Sequence, residues 1–269
     1  MLSREIENFI EEDMGFEDLS SALVPDKIVR GRVIAKEACV LAGLEEAMSV
    51  FKYFEIRSSS KFKDGDKIQG SDVILSISGN ARGILKAERV ALNILGRMSG
   101  IATMTAKFVE VAGGVKIAAT RKTTPGFRKY EKKAVRIGGG DPHRFRLDDA
   151  VMIKDNHIKV AGLEKAIKEA RKSNFTKKIE VEVENAQDAL TAAKLGADII
   201  MFDNMKPAEI KKAVKHIRSK RARKNIILEA SGGITIETFG DYTKSGVDVL
   251  SVGALTRDAR WSDFSLELL

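Results

Sequence analysis

The chain has 269 residues, 43% of them apolar, and a formal net charge of +8. This length suits one large α/β barrel or two smaller domains with buried cores. The single cysteine, Cys39, excludes an intramolecular disulfide, and no apolar run approaches the ~20 residues that a membrane-spanning helix needs. The N-terminus lacks a secretory signal pattern. We therefore expect a cytoplasmic protein whose positive charge serves anionic ligands or partners.

The first hundred residues alternate helix-like and strand-like stretches. Apolar spacing predicts a helix around Ile6 to Ile10, a strand over 30–40, a helix over 42–53 and a strand over 73–77. From 86 to 111 the apolar positions recur at helical spacing, which predicts one or two further helices. We take residues 1–100 as a first domain.

The rest of the chain, residues 101–269, has a regular strand–helix rhythm. Helices are predicted over 186–195, with Asn185 as its cap, and near Pro207. The predicted strands cover residues 116–119, 150–154, 179–183, 197–202, 226–229 and 247–252. Strands that alternate with helices indicate parallel strands joined by crossover helices. A βα barrel is favoured over an open doubly wound sheet, because no Gly-x-Gly-x-x-Gly fingerprint follows a first strand.

Polar residues stand at the C-terminal ends of these strands, where side chains of a βα barrel converge on an active site. They are Arg121, Lys122, Lys154, Glu182, Asp203, Ser231, Gly232, Gly233 and Gly253. Any one of the charged members could belong to a buried ion pair. A shared site explains six strands of this kind better than six separate pairs do.

The residue types indicate what such a site could bind. Arg121, Lys122, His143, Arg144 and Lys154 form a cationic set suited to carboxylates or phosphates. Glu182 and Asp203 suit sugar hydroxyls, or a magnesium ion shared with a pyrophosphate. The Ser231-Gly-Gly233 turn can offer backbone N–H groups to a phosphate.

Motifs for other chemistries are missing from the sequence. Cys39 lies in a strand-like stretch without a catalytic histidine nearby, and the three histidines lack zinc-site spacing. Neither a Gly-x-Ser-x-Gly elbow nor a Walker loop occurs. The site is therefore expected to work by electrostatic positioning and not by covalent catalysis.

A second basic run ends an apparent helix and could form a nucleic-acid patch. Its members are Arg218, Lys220, Arg221, Arg223 and Lys224. Cations also suit the C-terminal end of any solvated helix, and we prefer that interpretation.

Several long segments resemble quinolinate phosphoribosyltransferases, also named carboxylating nicotinate-nucleotide pyrophosphorylases. The resemblance covers nearly the whole chain and is most specific from 88 to 157. The segments are Glu88-Arg-Val-Ala-Leu-Asn93, Ser99-Gly-Ile-Ala102, Thr120-Arg-Lys-Thr-Thr-Pro-Gly-Phe-Arg128, Glu131-Lys-Lys-Ala-Val135, Gly138-Gly-Gly-Asp-Pro-His-Arg144, Val151-Met-Ile-Lys-Asp-Asn-His157, Glu180-Val-Glu-Val-Glu184, Asp203-Asn204, Glu229-Ala-Ser-Gly-Gly-Ile234 and Ser251-Val-Gly-Ala-Leu255.

The resemblance implies a fold and a reaction. The fold would be an N-terminal α/β sandwich followed by an incomplete TIM-like α/β barrel of about seven strands. The reaction would join quinolinate to phosphoribosyl pyrophosphate with magnesium, giving nicotinate mononucleotide, carbon dioxide and pyrophosphate, a step of NAD synthesis. No organic cofactor, nucleic acid or membrane would take part. The protein would be a homodimer or a larger oligomer such as a hexamer.

The resemblance also implies roles for individual residues. Arg121, His143, Arg144 and Lys154 would hold the two quinolinate carboxylates, and Arg89 would reach the site from a neighbouring subunit. Lys122, Glu182 and Asp203 would contact phosphoribosyl pyrophosphate. Ser231, Gly232, Gly233 and Gly253 would bind the 5′-phosphate. The residues expected to be catalytic are Lys122, Lys154, Glu182 and Asp203, and magnesium is expected near the two acids, with no residue assigned as its direct ligand.

Three alternatives remain open at this point. A ModD-type relative associated with molybdenum transport shares the Thr-Arg-Lys-Thr region, but is expected to lack the Lys154 to His157 stretch that is intact here. A nicotinate phosphoribosyltransferase acts on one carboxylate, which suits this large cationic set less well. A non-catalytic nucleotide or nucleic-acid binder is the third.

Overall fold

A computed structural model describes residues 3–16, 18–173, 175–219 and 225–269. Four residues of the predicted basic run, Lys220, Arg221, Arg223 and Lys224, lie outside the described residues. The fifth, Arg218, donates to the Ile226 carbonyl and pairs with Asp248 at 2.6 Å, so this cation has a structural role. Within the described ranges, no helix is long and apolar enough to cross a bilayer.

Helices and strands follow one another along the described residues. In the first half they are α1 (Ser3–Met14), the 3-10 turn Ser21–Leu23, β1 (Ile28–Ala35), β2 (Cys39–Val40), α2 (Leu44–Tyr53), β3 (Arg57–Ser59), β4 (Lys67–Ile68), β5 (Val73–Asn80) and α3 (Ala81–Glu110). The second half contains β6 (Lys116–Ala118), α4 (Arg128–Ile137), β7 (Val151–Ile153), α5 (Asp155–Ala161), α6 (Leu163–Ser173), β8 (Ile179–Val183), α7 (Ala186–Leu195), β9 (Ile199–Asp203), α8 (Pro207–Ser219), β10 (Ile227–Ser231), α9 (Phe239–Thr243), β11 (Val249–Ser251), α10 (Ala254–Arg257) and β12 (Phe264–Leu268).

The chain divides into two compact units. Unit 1 contains residues 1–106, 133–139 and 259–269, and unit 2 contains residues 107–132 and 140–258. The boundaries fall inside α3 and α4, so both helices contribute to both units.

Unit 1 is built on a four-stranded antiparallel sheet with the order β12-β1-β5-β3 and a small β2-β4 pair. Strand β12, near the end of the sequence, forms one edge of this sheet, and its Leu268 pairs with Gly31 of β1. Helices α2 and α3 bury apolar side chains at helical spacing, such as Ala47, Val50 and Phe51 of α2. The strand predicted over 30–40 is interrupted at 36–38, and the predicted helix over 86–111 is one continuous helix.

Unit 2 is a parallel sheet of six strands in the order β6-β11-β10-β9-β8-β7, with helices in the connections. A parallel bridge between Ala118 and Asp141 adds a seventh, one-residue contact at the β6 edge. Arg144, three residues further on, reaches the Met152 sulfur on β7 at the other edge. The loop 140–146 therefore spans the gap between the two edge strands. The predicted fold class, an N-terminal sheet domain followed by an incomplete α/β barrel, is confirmed.

Helix α7 shows how closely local sequence determines an element here. The predicted helix over 186–195 matches α7, and the Asn185 side chain accepts a hydrogen bond from the Asp188 N–H at 2.8 Å. Gly196 ends the helix in the left-handed conformation, at φ 93°. These caps set the positions of β8 and β9, which carry acids of the site described below.

At Gly100, helix α3 packs directly against the backbone of Arg260. A Cβ atom at this position would lie 2.0 Å from the Arg260 carbonyl oxygen. Helix propensity alone favours alanine over glycine by about 0.5–1 kcal/mol. We nevertheless expect Gly100→Ala to destabilise the protein by about 1–3 kcal/mol or more, because the backbone must move. Urea unfolding measures the change.

Gly240→Ala is the matched control. A Cβ atom at Gly240, inside α9, meets no atom within 4 Å. This exchange should leave stability unchanged or raise it slightly. A Gly100→Ala protein as stable as the Gly240→Ala protein would contradict the packing of α3.

Candidate active site

Side-chain alternation places polar residues on one face of the parallel sheet. In β8, Glu180 and Glu182 point to the same face, and Val181 between them points to the other. The strand register aligns Glu182 with Met201, and Met201 with Glu229. The opposite face is buried and apolar, and α6 and α7 pack on its strands. We call the polar side the inner face; it carries Met152, Glu180, Glu182, Met201, Asp203, Glu229, Ser231 and Ser251.

Arg121 and Lys122 follow β6 at one edge of the inner face. Arg121 is half-buried, and its Nε atom is buried with no hydrogen-bond partner among the residues described. The Lys122 carbonyl accepts a hydrogen bond from the Thr256 hydroxyl at 2.8 Å. The Lys122 side chain runs beside Gly253, where an added Cβ would lie 3.3 Å from Lys122 Cδ. Gly253 therefore leaves room for this lysine.

The loop 140–146 carries His143 and Arg144, and buried groups hold it in place. The ammonium of Lys132, fully buried in α4, donates to the Pro142 and Arg144 carbonyls. Asp141 accepts from the His143 N–H at 2.7 Å, and His143 has φ 53°. Burial, reinforced by nearby arginines, lowers the pKa of Lys132 to about 8. The His143–Arg144 backbone is thus fixed before any ligand arrives.

The Arg144 side chain adds a second unsatisfied donor near Arg121. Its Nε atom is also buried, with no hydrogen-bond partner in the described part of the chain. Burial lowers the pKa of Arg144 and the charge of Arg121 adds to this, while Glu180 opposes it. Arg121 and Arg144 are thus two mutually repelling cations, each with a buried Nε donor that has no partner among the described residues. Such an arrangement is suited to binding an anion.

Two buried glutamates lie against His143. Its Nε2 atom is 3.4 Å from Glu229 Oε2 and 3.7 Å from Glu180 Oε2, and the two glutamate side chains are 2% and 0% exposed. Burial first, and then the charge of Glu229, raise the pKa of Glu180 to about 8. Burial lowers the pKa of His143, but the hydrogen bond and charge of Glu229 outweigh it, so the net shift is upward.

Lys154, Glu182 and Asp203 form a second charged group at the strand ends. Lys154 Nζ lies 2.6 Å from Glu182 Oε1. The Lys154 N–H donates to His157 Nδ1 at 3.0 Å, which fixes the first turn of α5. Burial raises the pKa of Asp203, and the charges of Lys154 and then Lys122 oppose the shift. These three residues, with Lys122, thus act on one region of the inner face.

Glycines line the region next to Asp203. Gly232 and Gly233 have φ 90° and 61°, and a Cβ at Gly232 would lie 2.2 Å from Asn204 Oδ1. Asn204 itself donates to Asp203 Oδ2 at 2.9 Å. The Ser231 hydroxyl donates to the Ser251 carbonyl at 3.3 Å. Only glycine fits at 232, and the loop after β10 is held against the loop after β9.

The structure brings most of the predicted site residues into one unit. Unit 2 contains Arg121, Lys122, His143, Arg144, Lys154, Glu182, Asp203, Ser231, Gly232, Gly233 and Gly253. Arg89 lies in unit 1, on α3, with an exposed side chain. Sequence reasoning missed Lys132, Glu180 and Glu229 as parts of the site. Charges at alternate positions of otherwise apolar strands, as in Ile179-Glu-Val-Glu-Val183, were the signal for the two acids.

Fold and site together define an enzyme class, a βα-barrel protein that binds an anionic substrate at the carboxyl ends of its parallel strands. Comparison with family models gives the family. Residues 17–99 match the N-terminal domain, and residues 101–267 the C-terminal domain, of quinolinate phosphoribosyl transferase. The chain belongs to the quinolinate phosphoribosyl transferase family.

Individual relatives agree with this assignment. A protein of Methanothermobacter thermautotrophicus named probable nicotinate-nucleotide pyrophosphorylase (carboxylating) is 44% identical, over 98% of this chain and 97% of its own. The rat nicotinate-nucleotide pyrophosphorylase (carboxylating) is 38% identical, over 97% of this chain and 89% of its own. The crystal structure of the Ehrlichia chaffeensis nicotinate-nucleotide pyrophosphorylase has a TM-score of 0.94 at 34% identity, and covers 100% of this chain and 99% of that one.

A human nicotinic acid phosphoribosyltransferase shares the fold alone. Its structure has a TM-score of 0.69 but only 11% sequence identity, over 94% of this chain and 74% of its own.

The raised pKa of Glu180 gives a test of the buried cluster. A carboxyl whose pKa rises from 4.5 to about 8 on folding stabilises the fold below pH 4.5, and that stabilisation is lost as the pH rises to 8. Glu180→Gln removes this dependence. The stability of the variant relative to the native chain should therefore improve from pH 5 to pH 8, by up to about 1.4 kcal/mol per pH unit.

Urea unfolding of both proteins at pH 5, 6.5 and 8 measures the difference. Glu164→Gln, at an exposed position of α6 paired with Lys168, is the control and should show no such trend. A stability difference that stays constant with pH for Glu180→Gln would show that this carboxyl ionises normally.

Proposed function

We propose that the chain transfers the phosphoribosyl group of phosphoribosyl pyrophosphate to quinolinate, releasing carbon dioxide and pyrophosphate and forming nicotinate mononucleotide. The observation that carries the substrate assignment is the pair of buried Nε donors on Arg121 and Arg144, which lack partners among the described residues. Buried donors are costly unless an acceptor meets them. A small ring with two carboxylates can meet both.

Four residues form what we call the dicarboxylate clamp: Arg121, His143, Arg144 and Lys154. Three of them come from the edges of the parallel sheet, Arg121 after β6, Arg144 beside Met152 of β7, and Lys154 after β7. Guanidinium groups bind carboxylates in a bidentate manner, and the ammonium of Lys154 adds a point charge. One carboxylate would leave part of this positive charge uncompensated.

The phosphoribosyl group would bind on the neighbouring central strands. Glu182 and Asp203 lie on the inner face at the ends of β8 and β9 and suit the ribose hydroxyls. Lys122 would contact the pyrophosphate. Ser231, Gly232, Gly233 and Gly253 would receive the 5′-phosphate on backbone N–H groups, which glycines leave accessible.

Magnesium fits the same region. The carboxylate oxygens of Glu182 and Asp203 are donors of the kind that Mg²⁺ prefers, and the pyrophosphate supplies further oxygens. These two acids would hold the ion against the substrate, where its charge would stabilise the leaving pyrophosphate. Lys154 already neutralises one Glu182 oxygen, so Asp203 has more of its charge available.

The chemistry follows from this placement. As the bond from the ribose carbon to pyrophosphate breaks, positive charge develops on the ribose, and Glu182 and Asp203 stabilise it. The clamp holds the quinolinate ring so that its nitrogen attacks that carbon from the opposite face. The ring nitrogen is then positively charged, and it stabilises the electron pair that stays on the ring carbon when the 2-carboxylate leaves as carbon dioxide. The ring carbon left behind takes up a proton.

The rival substrates and functions are distinguishable. Nicotinate has one carboxylate and would leave part of the clamp unpaired, as argued above. A nucleic-acid binder would use the basic run at the end of α8, whose described member Arg218 is paired with Asp248. Phosphoribosyl transfer to quinolinate accounts for both charged groups of the site together.

Activity on quinolinate is the direct test. The purified chain with magnesium and phosphoribosyl pyrophosphate should form nicotinate mononucleotide and carbon dioxide in equal amounts from quinolinate. Nicotinate should be used at least about 100-fold less efficiently, because part of the clamp stays unpaired. Chromatography of the nucleotide and capture of carbon dioxide measure both products.

A Lys154→Ala protein serves as the negative control, and Lys159→Ala, in an exposed pair with Asp155 of α5, as the matched positive control. Equal turnover of nicotinate and quinolinate, or no nicotinate mononucleotide from either, would refute the assignment.

We also propose that the active protein is a homodimer or a larger oligomer, in which Arg89 of a neighbouring subunit completes the clamp. Arg89 has an exposed side chain on α3, in unit 1. An exposed arginine is available to a second copy of the chain, and it would add a further bidentate donor for a carboxylate.

Mixed subunits test this arrangement. Arg89→Ala and Lys154→Ala chains should each be inactive alone. After subunit exchange in a symmetric dimer, half of the dimers are mixed and each has one intact site, so about a quarter of the native activity should return. Absence of recovery, with exchange confirmed by mass spectrometry, would place Arg89 outside the partner's site.

A further inference from the structure

The buried glutamates beneath the clamp have no part in the chemistry proposed above. Glu180 comes from β8 and Glu229 from β10, with β9 between them, yet both reach the same imidazole nitrogen of His143. Both Glu180 oxygens and the Oε1 atom of Glu229 are buried, and within the described chain they have no hydrogen-bond partner. Two such acids are costly in a sheet interior unless a cation compensates them.

Besides the two glutamates, the charged groups near His143 include Asp141, which binds its backbone N–H, and the cations Lys132 and Arg144. Lys132 of α4 lowers the pKa of His143, and Arg144 is next to it on the loop and is influenced by the charge of Glu180. The Lys132 ammonium already donates hydrogen bonds to the Pro142 and Arg144 carbonyls. The imidazole is therefore the group placed to meet both carboxylates, at 3.4 and 3.7 Å.

The geometry also leaves one side of the imidazole ring available. The glutamates contact Nε2, while His143 Nδ1 makes no hydrogen bond with any residue in the described ranges. The left-handed backbone at His143, held by the Asp141 carboxylate, orients the ring independently of a ligand. A cationic imidazole held in this way has an N–H donor left for a substrate carboxylate.

We propose that Glu180 and Glu229 are positioning residues of the dicarboxylate clamp: both hold the His143 ring at Nε2, and the charge of Glu229 keeps the ring cationic, so that Nδ1–H binds a quinolinate carboxylate. Neither glutamate touches the substrate. The arrangement parallels the carboxylate–histidine pairs that fix the orientation and charge of an imidazole at other sites. The proposal rests on the proposed function for the identity of the ligand, but the charge of His143 can be measured without any ligand.

Steady-state kinetics of Glu229→Gln is the first arm of the test. The exchange keeps the shape of the side chain and removes its charge. We expect the KM for quinolinate to rise at least about 10-fold, while the KM for phosphoribosyl pyrophosphate stays within about twofold. Glu180→Ala, which removes the second side chain at Nε2, should change the same constant in the same direction, which keeps the test valid if one variant does not fold. Glu229→Asp should recover part of the loss.

Glu46→Gln is the matched control for removing a buried carboxylate. Glu46 is buried in unit 1 and bonded to Lys133 at 2.9 Å. Its exchange should lower thermal stability without raising the KM for quinolinate. A glutamate with a merely structural role would behave like Glu46.

Titration of the imidazole by NMR, without substrate, is the second arm. The chain has three histidines, His143, His157 and His216, so signals can be assigned with His157→Asn and His216→Asn proteins. His143 should keep its proton to higher pH than an ordinary imidazole does, and Glu229→Gln should lower its titration midpoint by about one pH unit or more.

The two arms separate failure of this proposal from failure of the proposed function. A shifted His143 titration in a protein that makes no nicotinate mononucleotide would uphold the positioning role and refute only the reaction. An unchanged His143 titration in Glu229→Gln, or an unchanged KM for quinolinate in both the Glu229→Gln and Glu180→Ala proteins, would overturn the positioning role.

Discussion

Charge compensation inside the parallel sheet is the constraint on which the site depends. Glu180 and Glu229 are almost completely inaccessible, and a buried charge is tolerated only when it is paired. His143 meets both acids, and Lys132 holds the loop that delivers His143. The acids on the strands and the cations of the loop therefore require each other. This network fixes the backbone of the loop that carries His143 and Arg144.

The topology separates the two kinds of charge. Cations follow the edge strands β6 and β7, or lie on the loop that spans the gap between them, while the acids lie on the central strands β8, β9 and β10. An incomplete barrel thus has a positive region where it is open and a negative region at its centre. A substrate pair made of a dicarboxylate and an activated sugar fits that division, because the anion binds at the opening and the developing positive charge lies over the acids.

Much of the fold followed from local sequence patterns. The helix over 186–195 was predicted at its observed bounds, since Asn185 and Gly196 cap it, and all six parallel strands were located within a few residues. The short strands β3 and β4 have too few residues to show a periodicity. Strand β12 pairs with β1 across more than two hundred residues, which no local pattern encodes. The break at 36–38 was also missed, although it contains two charged residues, Lys36 and Glu37.

The candidate site was predicted by searching for polar residues at the C-terminal ends of strands. This search finds only residues that end or directly follow a strand. It found Lys154, Asp203 and the glycine turns, which directly follow or end strands. It missed Glu180 and Glu229, which lie inside strands, because their importance depends on which residues face each other across β9. It also missed Lys132, a helix residue whose partners are backbone carbonyls of a loop. Contacts of this kind arise only in the folded chain.

We propose that the inner face and the loop 140–146 form a preorganised clamp for a dicarboxylate. A crystal structure of the protein with quinolinate bound is the decisive measurement. We expect the two carboxylates to lie within hydrogen-bond distance of Arg121, His143, Arg144 and Lys154, with the loop backbone unmoved and His143 Nε2 still against Glu229. Quinolinate bound elsewhere, or a loop that rearranges to receive it, would refute the proposal.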